Sequence, residues 1–156
     1  MVEFKESQKM TQWWLWALLL GVLGIWVWGI TYQVILGHTF GNHPMSNRGL
    51  IISSLIPLSV IALFYLVVLK TEVSLNGIYV NYFPLSSTQI QWSEIQRAEI
   101  IKYGFVGYGI RFSAEYGTVY NAKGDLGLLL HKKDGSTLLI GTQLPDQLAK
   151  AVEKFT

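Results

Sequence analysis

Residues Trp13–Leu36 read WWLWALLLGVLGIWVWGITYQVIL, 24 residues without a charge. At 1.5 Å rise per residue a helix of this length covers roughly 36 Å, enough to cross a hydrocarbon layer of about 30 Å with some tilt. A second uncharged run, Leu50–Leu69 (LIISSLIPLSVIALFYLVVL), follows after a short polar loop. Helices of soluble cores rarely stay apolar on every face for so long. Lipid offers the backbone no partner but its own carbonyls, so both runs are expected as transmembrane helices. Pro57 is expected to kink the second, because it removes one helical N–H.

Between Met10 and Leu69 the only formal charge is Arg48, whereas charges recur throughout the chain after Lys70. This contrast divides the 156 residues into a cytoplasmic N-terminal segment (1–12), a first transmembrane helix (13–36), an external loop (37–49), a second transmembrane helix (50–69) and a soluble domain (70–156). Trp13, Trp14 and Trp16 suit a membrane interface, as does Lys70 at the end of the second run. Trp26 and Trp28 lie deeper, either against the second helix or facing lipid. Lys5, Lys9 and Lys70 outweigh Arg48 in the loop, so the positive-inside bias puts both termini in the cytoplasm. The first run exceeds a signal-peptide h-region and no A-x-A-like site follows it, so it reads as a retained anchor.

Residues 71–156 carry eight Lys/Arg and eight Asp/Glu. A neutral domain lacks the basic face that releases counterions from phosphates, so a nucleic-acid partner is not expected. The chain has no cysteine, which removes disulfides, thiolate metal sites and cysteine nucleophiles. His38 and His43, five apart in the loop without carboxylate support, are too little to expect a metal, and no cofactor is expected.

After Lys70 the hydrophobic period shortens to two. Thr71, Val73 and Leu75 alternate with polar residues, Asn76-Gly77 follows, and Ile78, Val80 and Tyr82 alternate again. Two such runs joined by Asn-Gly predict a hairpin with a type I′ turn. Further strands are expected near Gln89–Trp92, Gln96–Lys102, Ile110–Phe112, Tyr116–Asn121, Leu126–His131 and Thr137–Gly141. Leu148, Val152 and Phe155 share one face of a C-terminal helix. The expectation is a small open barrel of seven or eight antiparallel strands capped by that helix.

The strand pair around Asn76-Gly77-Ile78, the segment Ile90-Gln91-Trp92-Ser93-Glu94-Ile95, and the close through Gly141-Thr142-Gln143 and Pro145 into a helix resemble the bacterial pleckstrin-homology-like (PH-like) domains. With Gly41-Asn42-His43-Pro44-Met45-Ser46, Tyr108-Gly109-Ile110-Arg111, Tyr120-Asn121 and Leu139-Ile140-Gly141-Thr142, the whole chain resembles uncharacterised bacterial proteins with two transmembrane helices ahead of such a domain. The resemblance implies the bacterial inner membrane and carries no assigned activity. Eukaryotic relatives of the fold often bind phosphoinositides through a basic first loop. Here that loop is Leu75-Asn76-Gly77-Ile78, without a lysine or arginine, so headgroup binding does not carry over.

No catalytic constellation emerges. Tyr103–Gly109 is rich in glycine but leads into no helix, so it lacks the N-terminus that would hold a phosphate. His131 lies within reach of Asp125 or Asp134 in sequence, yet no nucleophile motif accompanies it. Glu94, Glu99 and Glu115 show no paired-carboxylate spacing, and Lys132-Lys133-Asp134-Gly135 reads as a solvated turn. The chain is therefore expected not to be an enzyme. The residues nominated for ligand or partner binding are Tyr108, Gly109, Arg111, Tyr120 and Asn121. The leading expectation is a membrane-anchored module that binds a protein partner or a second copy of itself. The alternative is a small-ligand or lipid sensor built on Arg111 and the aromatic-glycine rim.

Overall fold

The computed structural model describes residues 2–104 and 107–155. Its contacts divide the chain into two units, residues 11–65 and residues 1–10 with 66–156. The N-terminal residues thus belong with the C-terminal domain.

In the first unit, helix α1 (Trp13–Ile30) continues into a five-residue π-helical turn, Thr31–Ile35. Helix α2 (Asn47–Ser53) and helix α3 (Leu55–Leu66) form the second apolar segment. Trp13–Ile35 and Asn47–Leu66 are both long and apolar enough to cross a membrane. The break at Ser54 lies three residues before Pro57, whose ring nitrogen cannot donate to the Ser53 carbonyl. Ser53 and Ser54 hydroxyls donate instead to Leu50 and Ile51 carbonyls at the break. Ser46 caps α2 by accepting from the Gly49 N–H.

Trp26 Nε1 donates to Ser53 Oγ at 3.0 Å, tying α1 to α2, while Trp28 is 61% exposed and stacks on Tyr32. The loop is held by Gln33: its amide nitrogen donates to the Met45 carbonyl and Asn47 Oδ1, and its oxygen accepts from the Phe40 N–H. Phe40 lies over Gly29, where a Cβ would meet the ring at 3.0 Å.

The second unit holds two sheets. The first is the antiparallel meander β1 (Val2–Lys9), β2 (Val68–Ser74), β3 (Gly77–Phe83) and β4 (Ser86–Ile90), in that order. A 3₁₀ turn, Trp92–Glu94, leads to β5 (Ile95–Lys102). Strands β6 (Gly109–Ser113), β7 (Gly117–Asn121), β8 (Leu126–Lys132) and β9 (Thr137–Gly141) follow. The second sheet runs β5-β8-β9-β7-β6, with β7 parallel to β9 and the other pairs antiparallel. Helix α4 (Pro145–Val152) buries Leu148, Ala151 and Val152, and Phe155 beyond it stacks on Trp92 at 4.8 Å.

Four expectations change. The described strands number nine, against the seven or eight antiparallel strands expected of a small open barrel; they lie in two sheets, one with a parallel pair, and close no barrel. Residues 2–9 are not a separate segment but the edge strand β1, paired with β2 from Lys9↔Val68 onward. Helix α3 ends at Leu66, and Val68 and Leu69 open strand β2, where Leu69 is fully buried. The β2–β3 turn is not type I′. Its central residues are Leu75 and Asn76, no described non-glycine residue has a positive φ, and Gly77 alone takes φ 122° as the first residue of β3. A turn of ordinary hand followed by one left-handed glycine gives the twist that the strands need. Gly77 is also sterically required, since a Cβ there would lie 2.0 Å from the Ile90 carbonyl oxygen.

Side chains of β1 tie the two sheets together. Glu6 is buried and accepts from Thr142 Oγ1 at 2.6 Å and from the Gln143 N–H at 2.8 Å. Gln8 donates to the Gly141 carbonyl at 2.8 Å. The core between these strands is formed by Leu69, Val73, Ile78, Val80 and Tyr82 with Leu128, Leu130 and Ile140. A second cluster, Tyr103, Val119, Leu129 and Leu139, is covered by Ile101 and Tyr116. Gly127 and Gly141, paired across β8 and β9, make room for the Tyr103 ring.

Candidate partner-binding edge

Strand β6 ends the five-stranded sheet, so among the described residues one side of its backbone has no neighbouring strand. Edge strands offer a row of N–H and C=O groups and are usually blunted by charge, proline or a covering element. Here the strand reads Gly109-Ile110-Arg111-Phe112-Ser113. Phe112 is 84% exposed and Ile110 37%. Register places both on the face of Tyr120 and Thr118, whereas Arg111 pairs with Val119 on the opposite face. The edge thus presents two apolar side chains on one face and a guanidinium on the other.

The approach to β6 is shaped by glycine. Gly107 (φ 86°) lies beneath the Arg111 side chain, and a Cβ there would come within 2.6 Å of Arg111 Nε. That Nε donates to the Tyr108 carbonyl at 3.0 Å. Arg111 therefore folds back over its own loop and helps to hold Tyr108 and Gly109 in place. Phe105 and Val106, part of the glycine-rich stretch read from sequence, lie outside the described residues.

The five nominated residues separate into two groups. Arg111 is exposed, and Tyr108 and Gly109 are half-buried beside it. Tyr120 and Asn121 are buried in β7 and do not line a rim. Asn121 Nδ2 donates to the Gly107 carbonyl at 3.2 Å and so braces the loop from beneath. Tyr120 lies against Tyr82 with ring centroids 6.5 Å apart. Of the residues placed at a membrane interface, Trp13 is 80% exposed, Trp14 is exposed and Trp16 half-buried, while Lys70 is an exposed residue of strand β2. Ile110 and Phe112 were not singled out from sequence. Their alternation was visible, but their place at a sheet edge was not.

His131 meets neither aspartate. Its Nε2 lies 3.2 Å from Glu99 Oε1, and Arg97 pairs with Glu99 Oε2 at 2.6 Å. Asp125 pairs with Lys102. Asp134 accepts from the Ser136 hydroxyl and N–H, which hold its carboxyl below the ordinary value. The Arg97–Glu99–His131 cluster lies across β5 and β8. No described nucleophilic side chain is seen to join it, and its chemistry is that of a surface ion cluster. Comparison with known protein families, with curated proteins and with solved structures yields no match.

Proposed function

We propose that this chain is a membrane-anchored interaction module, with a PH-like β domain that takes up an extended segment of a protein partner along the edge of β6. The observation that carries the reading is the open edge of β6 with Phe112 exposed upon it. Strand addition supplies main-chain hydrogen bonds for affinity and leaves alternate side chains to select the partner. Phe112 and Ile110 favour an apolar residue at alternate positions of the incoming strand, and Arg111 favours an acidic one. Tethering to a bilayer raises the local concentration of a membrane-bound partner, so a single strand of contact suffices.

The pairing of β1 with β2 supports an anchor that crosses the membrane twice. These strands flank the two apolar helices in sequence yet share one sheet, so the sheet forms only if both ends of the hairpin emerge on one side. The lysines at those ends favour the cytoplasmic side of a bacterial inner membrane. The two-sheet architecture with its C-terminal helix supports the PH-like assignment.

The test is photo-crosslinking from position 112 in native membranes, followed by purification of the full chain. A discrete adduct, with a partner or with a second copy, is expected from position 112 and not from Leu75 in the β2–β3 turn. Recovery of the chain alone from position 112 overturns the reading.

A further inference from the structure

Strands β1, β2 and β3 lie side by side, and Lys9, Val68 and Phe83 form one row across them. This row closes the end of the sheet at which the chain runs into both apolar helices. Beyond Lys9 the chain continues to α1, and one residue, Val67, precedes β2 after α3. The β3–β4 turn emerges at the same end, so a third connection joins these two. Its sequence is Phe83-Pro84-Leu85-Ser86, and Phe83 and Leu85 are 49% and 57% exposed.

Residues directly opposite in a sheet share a face, as do residues two apart along a strand. The face of Phe83 therefore also carries Lys9 and, one row in, Lys70, which pairs with Asn81 and Ser7. The opposite face carries Gln8, Leu69 and Tyr82, all buried. The end of the sheet at which the chain enters and leaves the apolar helices thus combines two exposed lysines with an exposed Phe-Pro-Leu turn. An aromatic and an aliphatic side chain beside lysines are what the boundary of an anionic bilayer accommodates. Apolar side chains enter the headgroup–acyl boundary while ammonium groups remain among phosphates.

We infer that this end of the first sheet is a lipid-contact surface, with the β3–β4 turn seated in the bilayer interface and Lys9 and Lys70 against anionic headgroups. The inference rests on the membrane-anchored reading and adds to it a third attachment point. It also gives the β domain a defined stance on the membrane, because two covalent tethers and one inserted turn restrict its rotation.

The native chain contains no cysteine, so single cysteines can be labelled without background. The full chain carrying Phe83→Cys, Leu85→Cys, Leu75→Cys or Ile25→Cys is labelled with an environment-sensitive fluorophore. Each is reconstituted into phosphatidylcholine–phosphatidylglycerol vesicles with acyl-brominated lipid, and iodide serves as the aqueous quencher. Leu75 is an equally apolar exposed control at the far end of β2 and β3, and Ile25 reports on α1. Quenching by brominated lipid at 83 and 85 is expected to exceed that at 75 by at least about two-fold, with the order reversed for iodide. Lipid quenching at Ile25 with positions 83 and 85 as open to iodide as 75 overturns the inference and leaves the anchor standing. Iodide access at Ile25 overturns the anchor and the inference together.

Discussion

Replacing Glu6 by alanine tests whether the N-terminal strand is part of the β domain. Glu6 is buried, and its carboxylate serves two donors, the Thr142 hydroxyl and the Gln143 N–H, at the link between β9 and α4. Each hydrogen bond to a charged group contributes about 1.5–3 kcal/mol, and removing the acceptor leaves its donor unsatisfied. The two share one carboxylate and do not add fully, so Glu6→Ala is expected to cost roughly 3–5 kcal/mol. With a urea dependence of about 2 kcal/mol per molar for a domain of this size, the unfolding midpoint falls by about 2 M. Pulse proteolysis of the full chain in detergent across a urea series reads this midpoint. Glu3→Ala is the control, since it removes only the exposed pair with Lys154 and is expected to cost less than about 1 kcal/mol. Equal midpoints for the two variants would refute the docking of β1 against the Thr142 corner.

Gly77→Ala is expected to destabilise the domain by roughly 3 kcal/mol or more in the same assay, because a positive φ and a backbone collision 2.0 Å from the Ile90 oxygen act together. Tyr82 and Tyr103 have their hydroxyls pushed from 10.0 up to about 12, burial being the first cause in each. Because the fold favours the neutral form, their contribution is complete below pH 10 and is lost as pH rises through about 12. Alkaline unfolding should therefore set in above pH 10, and Tyr82→Phe should flatten that fall. Gln33→Ala removes three hydrogen bonds that hold the loop, and hydrogen exchange of residues 38–46 should accelerate by about ten-fold or more.

The sequence revealed the two apolar helices because absence of charge over 20 or more residues is a one-dimensional signal. It misplaced the end of the second one. Val68 and Leu69 are as apolar as the residues before them, and an apolar run that ends in a buried strand reads the same as one that ends in lipid. Strand β1 was hidden for a different reason. Its inward face is Phe4, Glu6 and Gln8 and its outward face Lys5, Ser7 and Lys9, so polar residues occupy both faces and the period of two is lost. Glu6 and Gln8 can face inward only because partners from β9 and the residues after it meet them there. Strands β6 to β9 were legible as separate short runs, but the parallel contact of β7 with β9 joins strands that are not neighbours in sequence. That contact determines which strands become edges. Hence nothing local in sequence separates the buried Tyr120 and Asn121 from the exposed Phe112.

The central claim is a β domain strung on a membrane hairpin, with the strands before and after it in one sheet. Three single-cysteine variants, Ser7→Cys in β1, His43→Cys in the interhelical loop and Ser136→Cys in the β8–β9 turn, test it most directly through labelling by a membrane-impermeant maleimide in intact cells. The thiol at position 43 should react before permeabilisation, and those at positions 7 and 136 only after it. Labelling of positions 7 and 136 from opposite sides, or of all three from one side, would contradict the account.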